Sequence, residues 1–245
     1  GNGATGQISS NTISDNTRNT PWAGCGIYAY ILGTSTSSTV SVTGNTINNC
    51  FYGIYLSEAN YCTVSSNILP SNSTIVRGID INKSNNNTVT GNTLGTVDNP
   101  LPGTVDIGIS LSNTSTGNTI GGPAADGNSI YMATSGTALL YAIYMQSNIG
   151  AGVNTIQYNV INGGNRGIQF DGPPGTTGKT TISNNTILNQ SFGGVIALNE
   201  GDLDIIGNTI SNTPRPLEFF KNSMGAINIT NNSLSSTQYN VINAG

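Results

Sequence analysis

Apolar and polar residues alternate along this chain in bursts of three to five residues, and the bursts recur. One kind reads Gly/Ala-Ile-x-apolar-x. It occurs as Gly26-Ile27-Tyr28-Ala29-Tyr30, Gly53-Ile54-Tyr55-Leu56, Gly78-Ile79-Asp80-Ile81, Gly108-Ile109-Ser110-Leu111, Ala142-Ile143-Tyr144-Met145 and Gly167-Ile168-Gln169-Phe170. Looser copies are Ile196-Ala197-Leu198 and Leu217-Glu218-Phe219. A second kind is rich in Ser and Thr, as in Val40-Ser41-Val42-Thr43, Thr63-Val64-Ser65, Thr88-Val89-Thr90 and Thr181-Ile182-Ser183. It leads into a third, Asn-(Thr/Ser/Ile/Val)-(Ile/Leu), which recurs from Asn11-Thr12-Ile13 to Asn232-Ser233-Leu234. Alternation with period two is the signature of a half-buried strand. The Asn, Gly and Ser clusters between the bursts are turn residues. No stretch sustains a helical period.

The Asn-headed phrases begin at positions 11, 45, 67, 92, 118, 159, 185, 208 and 232, so six of the eight spacings lie between 22 and 26 residues. Three short strands per repeat cannot bury their apolar faces alone, but stacked turns can, because each strand then pairs with its copy one turn away. The expected fold is all-β, a three-sheet parallel solenoid of about nine coils and roughly 40 Å in length at ~4.8 Å per coil. One domain, 1–245, is expected, with loop inserts near 14–25, 95–106, 121–141 and 172–179.

The Gly-Ile-x-Leu and Gly-Asn-Thr-Ile phrases resemble the repeats of right-handed parallel β-helix proteins, the pectate-lyase-like superfamily, and the resemblance spans essentially the whole chain. It implies the right hand of the helix, which periodicity does not determine. It is unspecific for function, since that superfamily holds lyases, hydrolases, epimerases, tailspikes, adhesins and noncatalytic surface proteins.

Asn occurs 36 times. Asn45, Asn67, Asn92, Asn118, Asn159, Asn185, Asn208 and Asn232 are expected in one corner column, as a ladder of side-chain amides. Eight Asn-x-Ser/Thr sequons are present, about the number that chance predicts at this composition, so they carry no argument for glycosylation.

Composition narrows the chemistry. Seven Lys and Arg stand against 11 Asp and Glu, and there is no His. That excludes His-based acid–base chemistry and imidazole metal sites. A pI near 4.4 argues against nucleic acid. No apolar run is long enough to insert in a membrane, and no cofactor is expected. Cys25, Cys50 and Cys62 read as small buried apolar residues, with a Cys50–Cys62 bridge as the alternative.

Alternation along the Gly-Ile strands places Tyr28, Tyr55, Asp80, Tyr144 and Glu218 in one outward column and Tyr30 and Asp171 in its neighbour. These seven are the carbohydrate-binding candidates, because aromatic rings stack on sugar faces and polar groups bond hydroxyls. Arg77, Arg166 and Arg215 share a further column. A polysaccharide lyase, as the resemblance allows, would use Arg77 with Asp80 or Arg166 with Asp171. Glu200, Asp202 and Asp204 form the one close acidic group and the weak calcium candidate. The hydrolase and epimerase signatures of the superfamily are absent.

The chain opens and closes on its own repeat, which predicts uncapped ends. The first functional expectation is a noncatalytic structural protein, secreted or at the cell surface. It would be a building block of a sheath, surface layer, filament or adhesin stalk, with other copies of itself as partners. The alternative is a carbohydrate-binding or polysaccharide-degrading β-helix.

Overall fold

The computed structural model describes residues 5–17, 24–30, 39–71, 76–102, 107–134, 139–146, 154–171, 178–198, 201–220, 225–239 and 241–244. They form a parallel β-solenoid of three nine-stranded sheets. Sheet 1 runs from Gly6–Ser9 to Ile227–Thr230, sheet 2 from Thr12–Ile13 to Ser233–Ser236, and sheet 3 from Cys25–Tyr30 to Val241–Ala244. Each strand pairs in parallel with its copy in the next coil, as Val42 with Val64, Ile54 with Ile79 and Thr12 with Thr46. The inward positions form one continuous core of Ile, Val and Leu, with Val42, Ile47, Ile54, Ile79, Ile120 and Ile205 fully buried.

The glycine of the Gly-Ile strands has a steric cause. A Cβ on Gly53 would lie 2.3 Å from Leu69 Cδ2 and 2.5 Å from the Gly78 carbonyl oxygen, so Gly53 and the following Ile54 both face inward. Gly78 meets Leu94 and the Gly108 carbonyl in the same way. Two successive inward residues break the alternation. The residue before the glycine and the second residue after it therefore come to lie on the same outer side.

The corner between sheets 1 and 2 carries the amide ladder. Each Asn donates its backbone N–H and its Nδ2 to the Oδ1 of the next, as Asn67 does to Asn92 at 3.0 and 2.9 Å. The residue before the ladder Asn commonly sits at positive φ (Gly44 65°, Gly91 64°, Gly207 68°), which explains the recurrent Gly-Asn-Thr-Ile phrase.

The ladder corrects one expectation. It runs Asn11, Asn45, Asn67, Asn92, Asn128, Asn159, Asn185, Asn208, Asn232. Asn118 is not in it. Thr119–Gly121 pairs with Thr88–Thr90 in sheet 1, so Asn118 lies at the other end of that strand, in the corner after sheet 3. There it joins a second, shorter ladder, Asn87–Asn118–Asn154. Part of the expected 121–141 insert is accordingly a sheet 2 strand, Ser129–Met132.

A second correction is a one-residue slip in the seventh sheet 3 strand, Gly193–Leu198. Val195 pairs with Ile168 and Ile196 with Gln169, so Val195 and Ala197 face inward and Ile196 outward. A slip of one residue in a period-two pattern exchanges the faces.

Candidate functional site

The outer face of sheet 3, where the sequence placed the candidates, is built from two facing columns. One holds Cys25, Tyr52, Arg77, Ile107, Tyr141, Arg166, Gly193 and Arg215; the other holds Tyr28, Tyr55, Asp80, Ser110, Tyr144, Gln169, Ile196 and Glu218. Two successive inward residues, Gly-Ile in most coils and Ala142-Ile143 or Pro216-Leu217 in others, bring positions three apart together. Arg77 Nη1 donates to Asp80 at 2.7 Å, and Arg215 Nη1 to Glu218 at 2.8 Å. Arg166 Nη1 bonds Gln169. Where aromatics occupy both positions they contact one another: Tyr141 stacks on Tyr144 with centroids 4.6 Å apart, and Tyr52 lies 5.6 Å from Tyr55. The phrase Arg-(Gly/Pro)-(Ile/Leu)-(Asp/Gln/Glu) is thus a local pairing unit used three times.

Most of this face is closed. Asp80 and Glu218 are 2% exposed, Gln169 2% and Tyr55 5%. Burial pushes the Asp80 carboxyl up against the opposing pull of Arg77. Tyr144 donates its hydroxyl to Asp171 Oδ2 at 3.0 Å, and burial and that carboxylate together raise its pKa. Tyr28 and Tyr30 stay exposed, stacked on each other, and Tyr28 also stacks on Tyr55. Of the seven carbohydrate candidates, Tyr55, Asp80 and Glu218 are therefore packed into the wall, and Tyr144 and Asp171 are half-buried and joined to each other. Phe192, unnoticed in the sequence, lies between two guanidiniums, 4.9 Å from Arg166 and 4.4 Å from Arg215.

A groove opens elsewhere, along the outer side of sheet 2. It has a volume of about 460 Å³ and runs over five successive coils, from Thr96 past Tyr131 and Thr134 to Asn162, Asn189 and Asn212. The three asparagines are linked through their side chains, Asn189 Nδ2 to Asn162 Oδ1 at 2.8 Å and Asn212 Nδ2 to Asn189 Oδ1 at 2.6 Å. None of the described residues lining the groove is charged. The sequence reading did not find it, because its members belong to three different repeat positions.

The comparison with protein families agrees with this geometry. A family model described as right handed beta helix region matches residues 1–123 and 40–210. The chain belongs to that family. No curated protein matches it.

As a right-handed β-helix, the chain shares its superfamily's fold without displaying an assembled lyase centre among the described residues. Arg77 and Asp80 do meet, but as a buried ion pair in which each neutralises the other. Arg166 and Asp171 do not pair, since Arg166 bonds Gln169 and Asp171 accepts from Tyr144. The acidic group is separated too: Asp202 Oδ1 accepts from the Ala226 N–H at 2.7 Å, and Asp204 lies 2.5 Å from Lys179 Nζ, whose hydrogen bond lowers its pKa. Glu200 lies outside the described residues, and among these no three metal-ligating side chains converge. Cys25, Cys50 and Cys62 are buried thiols with no disulfide among them, so the Cys50–Cys62 bridge is not formed. Burial pushes the Cys25 thiol up to about 12 and that of Cys62 to about 11, which makes both poor nucleophiles at neutral pH.

Proposed function

We propose that this β-helix is a noncatalytic structural rod, secreted or displayed at the cell surface, that stacks end to end with copies of itself. One observation carries the reading: all three sheets, the core and the Asn ladder keep one register from coil to coil, so a coil of one copy can present to another copy the pattern that successive coils present to each other.

Coils far apart along the rod carry matching patterns. Ladder bonds run one way, each Asn donating to the oxygen of the following Asn, so Asn232 stands at the donor end and Asn11 at the acceptor end. Ile229 and Thr230 correspond in register to Ile8 and Ser9, and Leu234 to Ile13. A head-to-tail contact therefore continues all three sheets, the core and the ladder. Such a heterologous contact does not close on itself and builds a filament. The sheet 3 face supports a noncatalytic role, because Arg77 and Arg215 are paired with Asp80 and Glu218, while Arg166 bonds Gln169 and Asp171 accepts from Tyr144.

The test is sedimentation velocity and electron microscopy of the 1–245 chain over a range of concentrations. Rods are expected in multiples of roughly 43 Å, nine coils of ~4.8 Å, and a chain carrying Ile229→Lys and Val241→Lys is expected to stay monomeric. Stable monomers of the unaltered chain at every concentration would overturn the reading.

A further inference from the structure

We propose that the groove over sheet 2 binds an uncharged, hydroxyl-rich linear polymer, a neutral polysaccharide, lying along the rod axis. Its shape and chemistry both lead there. The groove extends across five coils, roughly 19 Å at ~4.8 Å per step, so it suits a chain rather than a compact ligand. Its polar groups are amides and hydroxyls: Asn162, Asn189, Asn212, Thr96, Thr134 and Tyr131. Amides and hydroxyls both donate and accept, which is what a row of sugar hydroxyls requires.

The amide row is held in place. Its two internal hydrogen bonds orient the three side chains, so little rotamer freedom is lost on binding. Each amide nitrogen and oxygen still has capacity for a second bond. Tyr131, in register with Asn162 one coil earlier, continues the row with an aromatic ring, and Val97, 66% exposed, and Pro100 add apolar surface at that end of the groove. Amide edges in line with aromatic and apolar faces match the two sides of a sugar ring.

Other occupants fit poorly. Nucleic acid and acidic polysaccharides require cations, and the described lining residues include none. An extended peptide binds by adding to a free strand edge, whereas the sheet 2 strands under the groove are paired on both sides. A lipid chain would leave the amides unsatisfied. This site is independent of the stacking faces at the two ends of the rod.

The decisive experiment is affinity electrophoresis of the 1–245 chain in gels containing one neutral polymer each, namely galactomannan, mixed-linkage β-glucan, xyloglucan or dextran, with alginate as the acidic control. At least one neutral polymer is expected to retard the chain, insensitively to salt, and alginate is not. Tyr131→Ala and Asn189→Gly are each expected to weaken the retardation about tenfold, glycine being chosen because Asn189 sits at φ 63° and alanine would add backbone strain. Tyr28→Ala, on the sheet 3 face, is expected to bind as the unaltered chain does. Unchanged circular dichroism would show that the variants fold. Retardation by none of the four neutral polymers would overturn the proposal, as would retardation unaffected by both groove variants or lost in Tyr28→Ala.

Discussion

The placement of Asn128, rather than Asn118, in the main ladder has a measurable energetic consequence. Asn92 Oδ1 accepts the buried N–H of Asn67, and Asn92 Nδ2 donates to the Val64 carbonyl. Asn92→Ala orphans both groups, at about 1–3 kcal/mol each, so a loss of roughly 2–6 kcal/mol is expected. Asn128→Ala does the same to the Asn92 N–H and the Val89 carbonyl, and Asn118→Ala to the Asn87 N–H and the Ser84 carbonyl. The single variants therefore look alike, and only their combinations discriminate. Asn92 and Asn128 touch, at 2.9 Å between amides. Their double variant loses that contact once instead of twice, and a coupling of about 1 kcal/mol or more is expected. Asn92 and Asn118 lie at opposite ends of neighbouring sheet 1 strands and share no bonding partner, so their effects should add within about 0.5 kcal/mol. Urea unfolding followed by circular dichroism and tyrosine fluorescence gives the three free energies, provided that the two probes coincide. A larger coupling for Asn92 with Asn118 than with Asn128 would refute the register and restore the even spacing read from the repeats.

Two further outcomes follow from the packing and charge of sheet 3. Gly53→Ala drives a Cβ against the backbone of Gly78 and should cost more than about 2 kcal/mol, whereas Gly6→Ala, with nothing within 4 Å, should be nearly neutral; thermal midpoints decide. The buried Asp80 carboxyl has a folded pKa above its unfolded value, so the stability it contributes is complete below the unfolded pKa and is lost as pH rises through the folded one. The midpoint of Asp80→Asn relative to the unaltered chain should therefore climb as pH rises above the unfolded carboxyl pKa of about 3.9, groups common to both proteins cancelling, and a relative fall with rising pH would contradict the assignment.

The architecture was legible because each of the three phrases serves one steric need repeated in every coil: a glycine where coils approach, a left-handed residue before a corner Asn, and Ser or Thr on an outer strand face. The register of the fifth coil was not. Asn118-Thr119-Ile120 and Asn128-Ser129-Ile130 spell nearly the same phrase, since both corners need a side-chain amide that reaches the backbone of the preceding coil. What distinguished them was order. Asn118 has no alternating Ser/Thr strand in front of it, because Thr119–Gly121 is that strand. The burial of Asp80 and Glu218 was hidden for another reason. Strict alternation puts residues three apart on opposite faces, and only two successive inward residues, Gly78-Ile79 and Pro216-Leu217, turn Arg77 onto Asp80 and Arg215 onto Glu218. The repeated Arg-x-x-(Asp/Gln/Glu) spacing was the available sign.

These differences also indicate where function can reside in such a rod. At regular positions the residue is dictated by its copies above and below: inward Ile by the core, corner Asn by the ladder, outward Arg by its acid three residues on. Function-specific choices are free only where the repeat is interrupted, and there local rules give way. The longest interruption lies before the fifth coil, the 36 residues from Asn92 to Asn128, and a further 31 separate Asn128 from Asn159. Residues from those irregular stretches, Thr96, Val97, Pro100, Ala133 and Thr134, wall the sheet 2 groove. On its other side Asn189 and Asn212 take left-handed backbone conformations, at φ 63° and 53°, and present a row of amides outside both corner ladders. A ladder that closed the core would be buried as Asn92 and Asn159 are. Asn212 is instead exposed and Asn162 and Asn189 half-buried, so stacking alone does not account for this third row, and a ligand in the groove does.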